Sequence, residues 1–318
     1  MNPDLWVQNG CTLYNFRISR SFPGEMCIFL NDGSFISATS QTLRRFGKDH
    51  EILWEVKDIF HHQLNLSPDG QRILSLSSNV VKRNGKDQRD DVFIILDLNG
   101  KVLHRESFYP HMVEKKIRLL NWTMGKRLKD LGAQSESSHF NSIYEIPANA
   151  YEMKLPWLKQ GNIIVNSTSL GVFILSPDVK NVLHRKLFDS SHNHEIHDVQ
   201  VNPEGEYLFF NNRISISSNA YISAIQKYDD VKKSLTFNFQ SNPPEMFYSP
   251  ACGGVQEFRD MIFFSHVTTG GYYYSKEKET IVSSIPGLNG NPHESSPVQQ
   301  LKLINANEFL KHSGNESK

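Results

Sequence analysis

Histidines recur at the beginning of the predicted β-strands of this chain, and they are the residues best suited to chemistry. His62, His139 and His197 each open such a strand, and His61 and His194 lie close to two of them in sequence. A neutral imidazole can bind a metal, transfer a proton or act as a nucleophile. The residue types alone leave these three kinds of site open.

The segment that begins at His197 indicates how such a histidine is held. It reads His197-Asp-Val-Gln-Val-Asn-Pro-Glu-Gly-Glu-Tyr-Leu-Phe-Phe-Asn212. Apolar and polar residues alternate after the histidine, residues 203–205 form a turn, and residues 207–210 are typical of a buried strand. The segment that begins at His62, 135 residues earlier, has histidine, proline and glycine at the same offsets. We therefore predict two β-hairpins of one repeat, each with a histidine at its entrance.

Short strands separated by turn residues run through most of the chain and predict an all-β repeat. Five units of about four strands can be distinguished, and such units of roughly 50 residues are the signature of propeller blades. Residues 298–304 are expected to supply part of a sixth blade by pairing with the N-terminal strands, which leaves no open sheet edge. Because the first strand of a blade lines the central channel, a six-bladed β-propeller would bring the histidines together near its axis.

Two stretches interrupt the regular spacing of the strands. Residues 111–132 carry apolar side chains at helical spacing, so we predict a helical insertion there, between the second and third units. Residues 82–91 are rich in charge, and we predict a loop. The expected domain organisation is a single propeller over residues 1–290, followed by a closing strand and a polar tail over residues 291–318.

The composition is that of a folded chain without a strong net charge. The 318 residues are 38% hydrophobic, and 34 Lys and Arg balance 34 Asp and Glu. No overall field would draw the protein to nucleic acid or to an anionic membrane. A run of about 18 apolar residues is lacking, so no membrane insertion is expected. Two compartments stay open, the cytoplasm if the chain is full length and the periplasm if a signal peptide has been removed. The oligomeric state is open as well.

Neither the cysteines nor the histidines have the spacing of a metal site. Cys11, Cys27 and Cys252 are scattered and odd in number, so a disulfide framework is not expected, although one pair stays open. The segment from His192 to His197 is dense in imidazole. Alternate histidines on one strand point to opposite faces, however, and no zinc spacing fits, so we predict no metal.

Four stretches of the chain form a recognisable set. They are Asn9-Gly-Cys-Thr-Leu-Tyr14, residues 53–70 with Leu-Trp-Glu-Val, His61-His62 and Pro-Asp-Gly, then His139-Phe-Asn-Ser-Ile-Tyr-Glu145, and residues 197–212 with His-Asp-Val-Gln. Together they resemble the arylsulfotransferases, also called aryl sulfate sulfotransferases. The resemblance spans roughly residues 10–290 and is most specific in the last stretch. Bacterial members of that family are six-bladed propellers, so the resemblance implies the same fold.

The resemblance implies a sulfuryl transfer that uses no activated nucleotide sulfate (PAPS) and no cofactor. In that family a histidine takes the sulfuryl group from a phenyl sulfate, holds it as sulfohistidine and passes it to a phenol. By position, His197 is similar to the nucleophile. His62 and His139 are similar to the histidines that bind the sulfate oxygens and transfer the phenolic proton. His61 and His194 would contribute to substrate binding, and the expected partners are a small aryl sulfate and a phenol.

The chain departs from the family pattern at one charged residue. The family has an arginine in the strand after the third histidine, and the matching segment here, Val165-Asn-Ser-Thr-Ser-Leu170, has none. A sulfuryl group in transfer carries negative charge on its oxygens, so loss of a charged donor would cost roughly 3 kcal/mol, about a hundredfold in rate. Asn166 or Thr168 could offer neutral donors. Arg213 could reach the same pocket from the fourth unit.

Three classes of function stay open at this point. An active aryl-sulfate sulfotransferase is favoured by the resemblance and by the three histidines. A propeller that has lost catalysis and serves as a binding or scaffold module is favoured by the absent arginine. A metal-dependent hydrolase or lyase comes third. Because propellers host many functions, the fold cannot decide between these classes.

Overall fold

A computed structural model gives the fold of the protein. It describes residues 6–9, 12–14, 19–21, 26–83, 85–114, 135–136, 138–168, 170–188, 196–217, 220–240, 247, 253–258, 260–266, 270–286 and 301–304. The described strands form five four-stranded sheets and one five-stranded sheet. The strands of each sheet pair antiparallel, apart from one short parallel strand at the side of the five-stranded sheet, and this is the construction of propeller blades. The predicted all-β propeller is therefore confirmed.

The first half of the chain forms short strands and one long hairpin. The N-terminal strands are β1 (Trp6–Asn9), β2 (Thr12–Tyr14) and β3 (Ser19–Ser21). Sheet I contains β4 (Met26–Phe29), β5 (Phe35–Ala38), β6 (Thr42–Phe46) and β7 (Ile52–Lys57). Sheet II contains β8 (Phe60–Leu66), β9 (Arg72–Arg83), β10 (Lys86–Asp97), β11 (Val102–Ser107) and the short parallel strand β12 (Ser135–Glu136).

The second half repeats the four-stranded pattern. Sheet III contains β13 (Phe140–Glu145), β14 (Ile163–Ser167), β15 (Gly171–Leu175) and β16 (Val182–Lys186). Sheet IV contains β17 (Ile196–Val201), β18 (Tyr207–Ser217), β19 (Ala220–Asp229) and β20 (Ser234–Gln240). Sheet V contains β21 (Gly254–Phe258), β22 (Met261–His266), β23 (Gly270–Ser275) and β24 (Thr280–Pro286).

One sheet combines strands from both ends of the described chain. The strand β25 (Leu301–Ile304) pairs antiparallel with β1, from Trp6 opposite Ile304 to Asn9 opposite Leu301. The order of this terminal sheet is β25-β1-β2-β3. The pairing between the C-terminal segment and the N-terminal strands that the sequence indicated is thus present.

The hydrophobic core lies between neighbouring sheets rather than within one of them. Each large cluster of buried side chains draws its members from two consecutive sheets. Between sheets II and III, for example, Phe93, Phe140 and Phe173 pack together, and Phe108 meets Phe140 with ring centroids 4.5 Å apart. Because apolar faces of both sheets are covered in this way, the sheets are held in chain order around the molecule.

The described residues of the charged segment, 82–83 and 85–91, belong to a β-hairpin and not to the predicted loop. The strands β9 and β10 pair over their whole length, from Arg72 opposite Asp97 to Arg83 opposite Lys86. Asp90 and Asp91 are fully buried. The Asp90 carboxylate accepts a hydrogen bond from Ser107, and the Asp91 carboxylate accepts one from Ser138. The prediction was wrong because a run of charges ordinarily indicates solvent, whereas here the buried charge of Asp91 is compensated by hydrogen-bond donors from other parts of the chain.

The described part of the chain contains little helix. An α-helix, α1 (Tyr109–Glu114), follows β11, and a 3-10 turn (Pro156–Leu158) lies between β13 and β14. None of the helices in these residues has the length and apolar character that a membrane span requires. Residues 115–134 lie outside the described residues, so the helical insertion expected over residues 111–132 stays a prediction.

Cys27 is buried in β4 and forms a disulfide bond. The other two cysteines of the chain, Cys11 and Cys252, both lie outside the described residues. The single pair that the sequence left open is therefore present.

Candidate active site

A β-bulge interrupts the first strand of sheet II at the histidine pair. His61 lies opposite Leu76 of β9, but the next paired residue of β8 is Leu64, opposite Ser75. His62, in the bulge, has a positive φ of 58°. Such a conformation costs roughly 1–2 kcal/mol for a residue with a side chain and persists where the surroundings fix it. The bulge therefore re-aims the His62 ring away from the regular alternation of the strand.

The first strand of sheet IV has a related bulge after His197. His197 lies opposite Phe210, the next paired residue is Gln200, and Asp198 between them has a positive φ of 54°. By strand pairing, the counterpart of His197 in sheet II is therefore His61, whereas the sequence repeat matched it with His62. The bulge of β8 contains one more inserted residue than that of β17. For this reason the alignment by strand pairing differs by one position from the alignment by sequence repeat.

Three of the predicted site histidines are in direct contact. The Nδ1 atoms of His61 and His62 are 2.6 Å apart, and the two rings meet edge to face. His139, which also has a positive φ, meets His62 edge to face with ring centroids 5.1 Å apart. Burial lowers the pKa of His62 most, and the charges of His61, His139, Arg89 and finally His197 act in the same direction, so His197 is the fourth histidine of this group. We call these four histidines the histidine cluster.

A buried carboxylate supports two members of the histidine cluster. Asp91 Oδ1 lies 3.3 Å from His61 Nε2 and 3.4 Å from an Arg89 nitrogen. Its other oxygen accepts hydrogen bonds from the Ser138 hydroxyl and, at 3.2 Å, from the Phe140 amide. Burial raises the pKa of Asp91, but the hydrogen bond from His61 and the charge of Arg89 outweigh burial and hold that pKa well below its usual range. Asp91 is therefore ionised.

The hydrogen-bond partners assign the protons of the His61–His62 pair. His61 Nε2 lies 2.8 Å from the Ser77 carbonyl oxygen, which can only accept, so this nitrogen carries the proton. Burial and the charge of Arg89 lower the pKa of His61, and burial together with the charges of His61 and His139 holds the pKa of His62 well below its usual range. Both rings are therefore neutral at neutral pH. His61 Nδ1 then accepts the Nδ1 proton of His62, which leaves a lone pair on His62 Nε2.

Arg89 is a guanidinium beside the histidine cluster that the sequence did not single out. It is buried on β10, its Nε donates to the Ser78 hydroxyl at 2.8 Å, and its charge acts on both His61 and His62. Sequence reasoning missed Arg89 and Asp91 because it placed them in a loop. One signal was available: the charged run leads directly into the apolar strand at residues 92–96 without a glycine or proline between them.

The two neutral donors proposed from sequence lie next to the cluster, and the side chain of Asn166 has a structural role. Asn166 is buried, and its amide donates to Asn141 Oδ1 at 2.9 Å and to the Ile196 carbonyl at 2.5 Å. One of these bonds holds the start of β17, next to His197, and the other connects Asn166 to β13. The Thr168 amide donates to the carbonyl of His139 at 3.3 Å, and its hydroxyl is buried without a hydrogen-bond partner among the described residues.

The two remaining predicted substrate-binding residues are less well defined. Arg213 lies in β18 at an irregularity between Asn211 and Ile214, and its side chain is outside the described part of the structure. His194 lies outside the described residues altogether. Within the part of the chain that is described, no group of three or more His, Cys, Asp or Glu side chains is arranged to hold a metal ion.

Asp198 connects the first strands of four sheets next to the histidine cluster. Its Oδ1 accepts hydrogen bonds from the Tyr144 hydroxyl and, at 3.1 Å, from the Gln63 amide. Its Oδ2 accepts from the Val255 backbone amide at 2.7 Å. Because Gln63 follows His62 and Asp198 follows His197, this network fixes the two histidine-bearing bulges relative to each other.

Comparison with known proteins supports the fold and leaves the activity open. No family model and no curated protein matches the chain. A protein of unknown function from Bacteroides caccae is similar over 94% of this chain and 98% of its own, with a TM-score of 0.56 and 10% identity. Saccharomyces cerevisiae Sqt1 is similar over 90% of this chain and 83% of its own, with a TM-score of 0.47 and 12% identity. The dihydro-heme d1 dehydrogenase NirN, in complex with DHE, covers 92% of this chain and 54% of its own, with a TM-score of 0.42 and 11% identity.

Proposed function

We propose that the protein is a PAPS-independent sulfotransferase that moves a sulfuryl group from an aryl sulfate to a phenol through a sulfohistidine. The observation that carries this proposal is the histidine cluster, in which His62 keeps an unprotonated Nε2 beside His139. Transfer of this kind needs a nitrogen nucleophile, a base for the phenolic proton and positive charge near the sulfuryl oxygens. The cluster and Arg89 together offer all three.

The resemblance to arylsulfotransferases assigns the nucleophile to His197. In the first half-reaction a ring nitrogen of His197 attacks the sulfur, the sulfur–oxygen bond breaks, and the aryl oxide leaves with the electron pair. In the second, the oxygen of the acceptor phenol attacks the sulfur and the sulfur–nitrogen bond breaks. His62 Nε2 takes the phenolic proton, because its lone pair is available at neutral pH. His139 binds the sulfuryl oxygens.

In this proposal Arg89 replaces the arginine that residues 165–170 lack. A guanidinium is charged at every working pH and suits the planar recognition of an oxyanion. Arg89 reaches the cluster from β10 of sheet II, and its charge already acts on His61 and His62. In this way Arg89 would compensate the charge that develops on the sulfuryl oxygens, although it comes from a different strand than the arginine of the family.

We also propose that the six sheets are the blades of one closed propeller. Contacts between first strands follow the chain, from β4 to β8, β13, β17, β21 and finally β25. The terminal sheet completes this series with strands from both ends of the chain. A helical insertion at residues 111–132 would lie between the blades formed by sheets II and III.

The test of the activity is a burst experiment with a chromogenic aryl sulfate and no acceptor. We expect about one equivalent of phenol per protein molecule, since the first half-reaction loads the enzyme and stops. The adduct should map to His197 by mass spectrometry. His197→Ala should abolish the burst, and His62→Ala or His139→Ala should slow turnover by about 10²–10⁴-fold. His104→Ala, on the outer strand β11, is the matched control and should behave as wild type.

Two outcomes would change the assignment. An adduct on His62 would exchange the roles of His62 and His197. Folded wild-type protein that gives neither burst nor turnover with a range of aryl sulfates would contradict the sulfotransferase. It would favour the second candidate, a binding or scaffold module, which the engaged amide of Asn166 and the lack of an arginine in residues 165–170 support.

A further inference from the structure

Asp91 contacts His61 and also the residues on either side of His139, so it reaches two parts of the histidine cluster. It is fully buried on β10, opposite Ser78 of β9. One carboxylate oxygen lies 3.3 Å from His61 Nε2, and the ring of His61 in turn contacts His62 through its Nδ1. The other oxygen accepts hydrogen bonds from residues 138 and 140, which lie on either side of His139 in the chain.

We infer that Asp91 is the positioning residue of the proposed active site. Through His61 it orients His62, and through the backbone around His139 it places that second ring against the first. The catalytic part of this inference rests on the proposed sulfotransferase activity. The geometric part stands on the contacts of Asp91 alone.

The first effect of Asp91 concerns the charge that His62 acquires during transfer. When His62 Nε2 takes the phenolic proton, the ring becomes an imidazolium that keeps its Nδ1 proton. That proton is hydrogen-bonded to His61 Nδ1. The Nε2–H of His61 donates to the Ser77 carbonyl, and an Asp91 carboxylate oxygen lies 3.3 Å from the same nitrogen. The negative charge of Asp91 therefore stabilises the new positive charge across the two rings, and no proton has to leave the pair.

The second effect follows from the kind of partners that Asp91 has. His61 Nε2, the Arg89 guanidinium and the Phe140 amide are all donors, and they approach both carboxylate oxygens. An asparagine could accept with one oxygen only, and its NH₂ group would face a donor on the other side. The isosteric substitution Asp91→Asn therefore disturbs either the contact with His61 or the contacts around His139, whichever way the amide is turned.

The experiment combines kinetics with the ring nitrogen signals of the full-length protein labelled with ¹⁵N-histidine. In wild type without substrate, His62 should show a protonated Nδ1 and an unprotonated Nε2. Asp91→Asn should change the ring signals of both His62 and His139. It should also lower kcat for sulfuryl transfer by about 10²–10⁴-fold.

Three further variants separate positioning from a general loss of structure. His61→Gln should change the signals of His62 and leave those of His139 in place, and Ser138→Ala should do the reverse. Asp90→Asn is the matched control on the same strand, because the Asp90 carboxylate bonds to Ser107 instead of the cluster. This variant should preserve the signals of both rings and the wild-type kcat.

The inference is overturned if Asp91→Asn leaves both sets of ring signals unchanged and kcat within about twofold of wild type. If that variant does not fold, the His61→Gln and Ser138→Ala pair decides, and equal effects of these two on both rings would also overturn it. Wild-type protein that lacks the burst but shows the expected His62 protonation, with Asp91→Asn changing both rings, would refute the sulfotransferase and support the role of Asp91 in positioning.

Discussion

Asp90 and Asp91 are neighbours on β10, but their pKa values are shifted in opposite directions. Burial raises the pKa of Asp90 to about 7, and the nearby negative charge of Asp91 acts in the same direction against the hydrogen bond from Ser107. Asp91 stays ionised because His61 and Arg89 approach it. At the scale of single residues, partners rather than burial alone decide which of two buried carboxylates carries the charge.

The raised pKa of Asp90 predicts that the protein loses stability as the pH rises. Between about pH 4 and pH 7 the folded state holds a proton on Asp90 that the unfolded state has released, so the free energy of unfolding falls by up to about 1.4 kcal/mol per pH unit from this group. The contribution is complete below the unfolded pKa and is lost as the pH passes the folded pKa. Asp90→Asn should remove it.

Urea unfolding of wild type and Asp90→Asn at about pH 5 and about pH 7.5 measures this effect. The difference between the two proteins isolates Asp90, since all other titrating groups are shared. The free energy of unfolding of wild type should fall more between the two pH values than that of the variant. Parallel pH dependence in the two proteins would contradict the raised pKa.

That several histidines would lie close together could be predicted from sequence, but the residues that surround them could not. His61, His62, His139 and His197 stand at the starts of locally recognisable strands, which is information within one hairpin. Asp91 accepts hydrogen bonds from residues 138 and 140, almost 50 positions further along the chain. A charged run carries no local sign of such distant partners, so its ordinary interpretation as a solvated loop was the wrong one.

At the scale of elements, the two repeated hairpins show what local sequence specifies. The turns after β8 and β17 have the same proline and glycine offsets, and Gly70 and Gly205 both have positive φ, of 70° and 87°. Turn chemistry of this kind is local and was predicted. The bulges were not predicted, because the number of inserted residues depends on the register of the partner strands β9 and β18.

These two glycines give a matched prediction about stability. A Cβ on Gly205 would lie 2.7 Å from ring and Cβ atoms of Tyr151, whose hydroxyl is held by Asp229 at 2.8 Å, whereas a Cβ on Gly70 meets nothing within 4 Å. Gly70→Ala should lower the free energy of unfolding by about 1–2 kcal/mol through backbone strain alone. Gly205→Ala should cost at least about 1 kcal/mol more, because the methyl group also displaces Tyr151. Denaturant unfolding of both variants would measure this, and equal losses would contradict the close contact.

At the scale of the whole molecule, the candidate site depends on the contacts between sheets. The histidine cluster contains residues from sheets II, III and IV, and Asp198 adds a hydrogen bond to sheet V. The apolar clusters are likewise shared between consecutive sheets. A sheet that separates from its neighbour therefore loses core packing and site geometry together, and for this reason the order of the sheets matters for function.

The strand β25 is expected to be the element that keeps this arrangement closed. It pairs with β1 over four residues and also contacts β21 and β22 of sheet V, so it joins the N-terminal strands to the last sheet of the series. Deleting residues 301–318 should lower the free energy of unfolding by at least about 2 kcal/mol, because a ladder and a contact between sheets are lost together and a strand edge is exposed. Deleting residues 305–318 leaves β25 in place and is the matched control. Denaturant unfolding of the two shortened proteins should separate them clearly, and equal stabilities would show that β25 does not close the propeller.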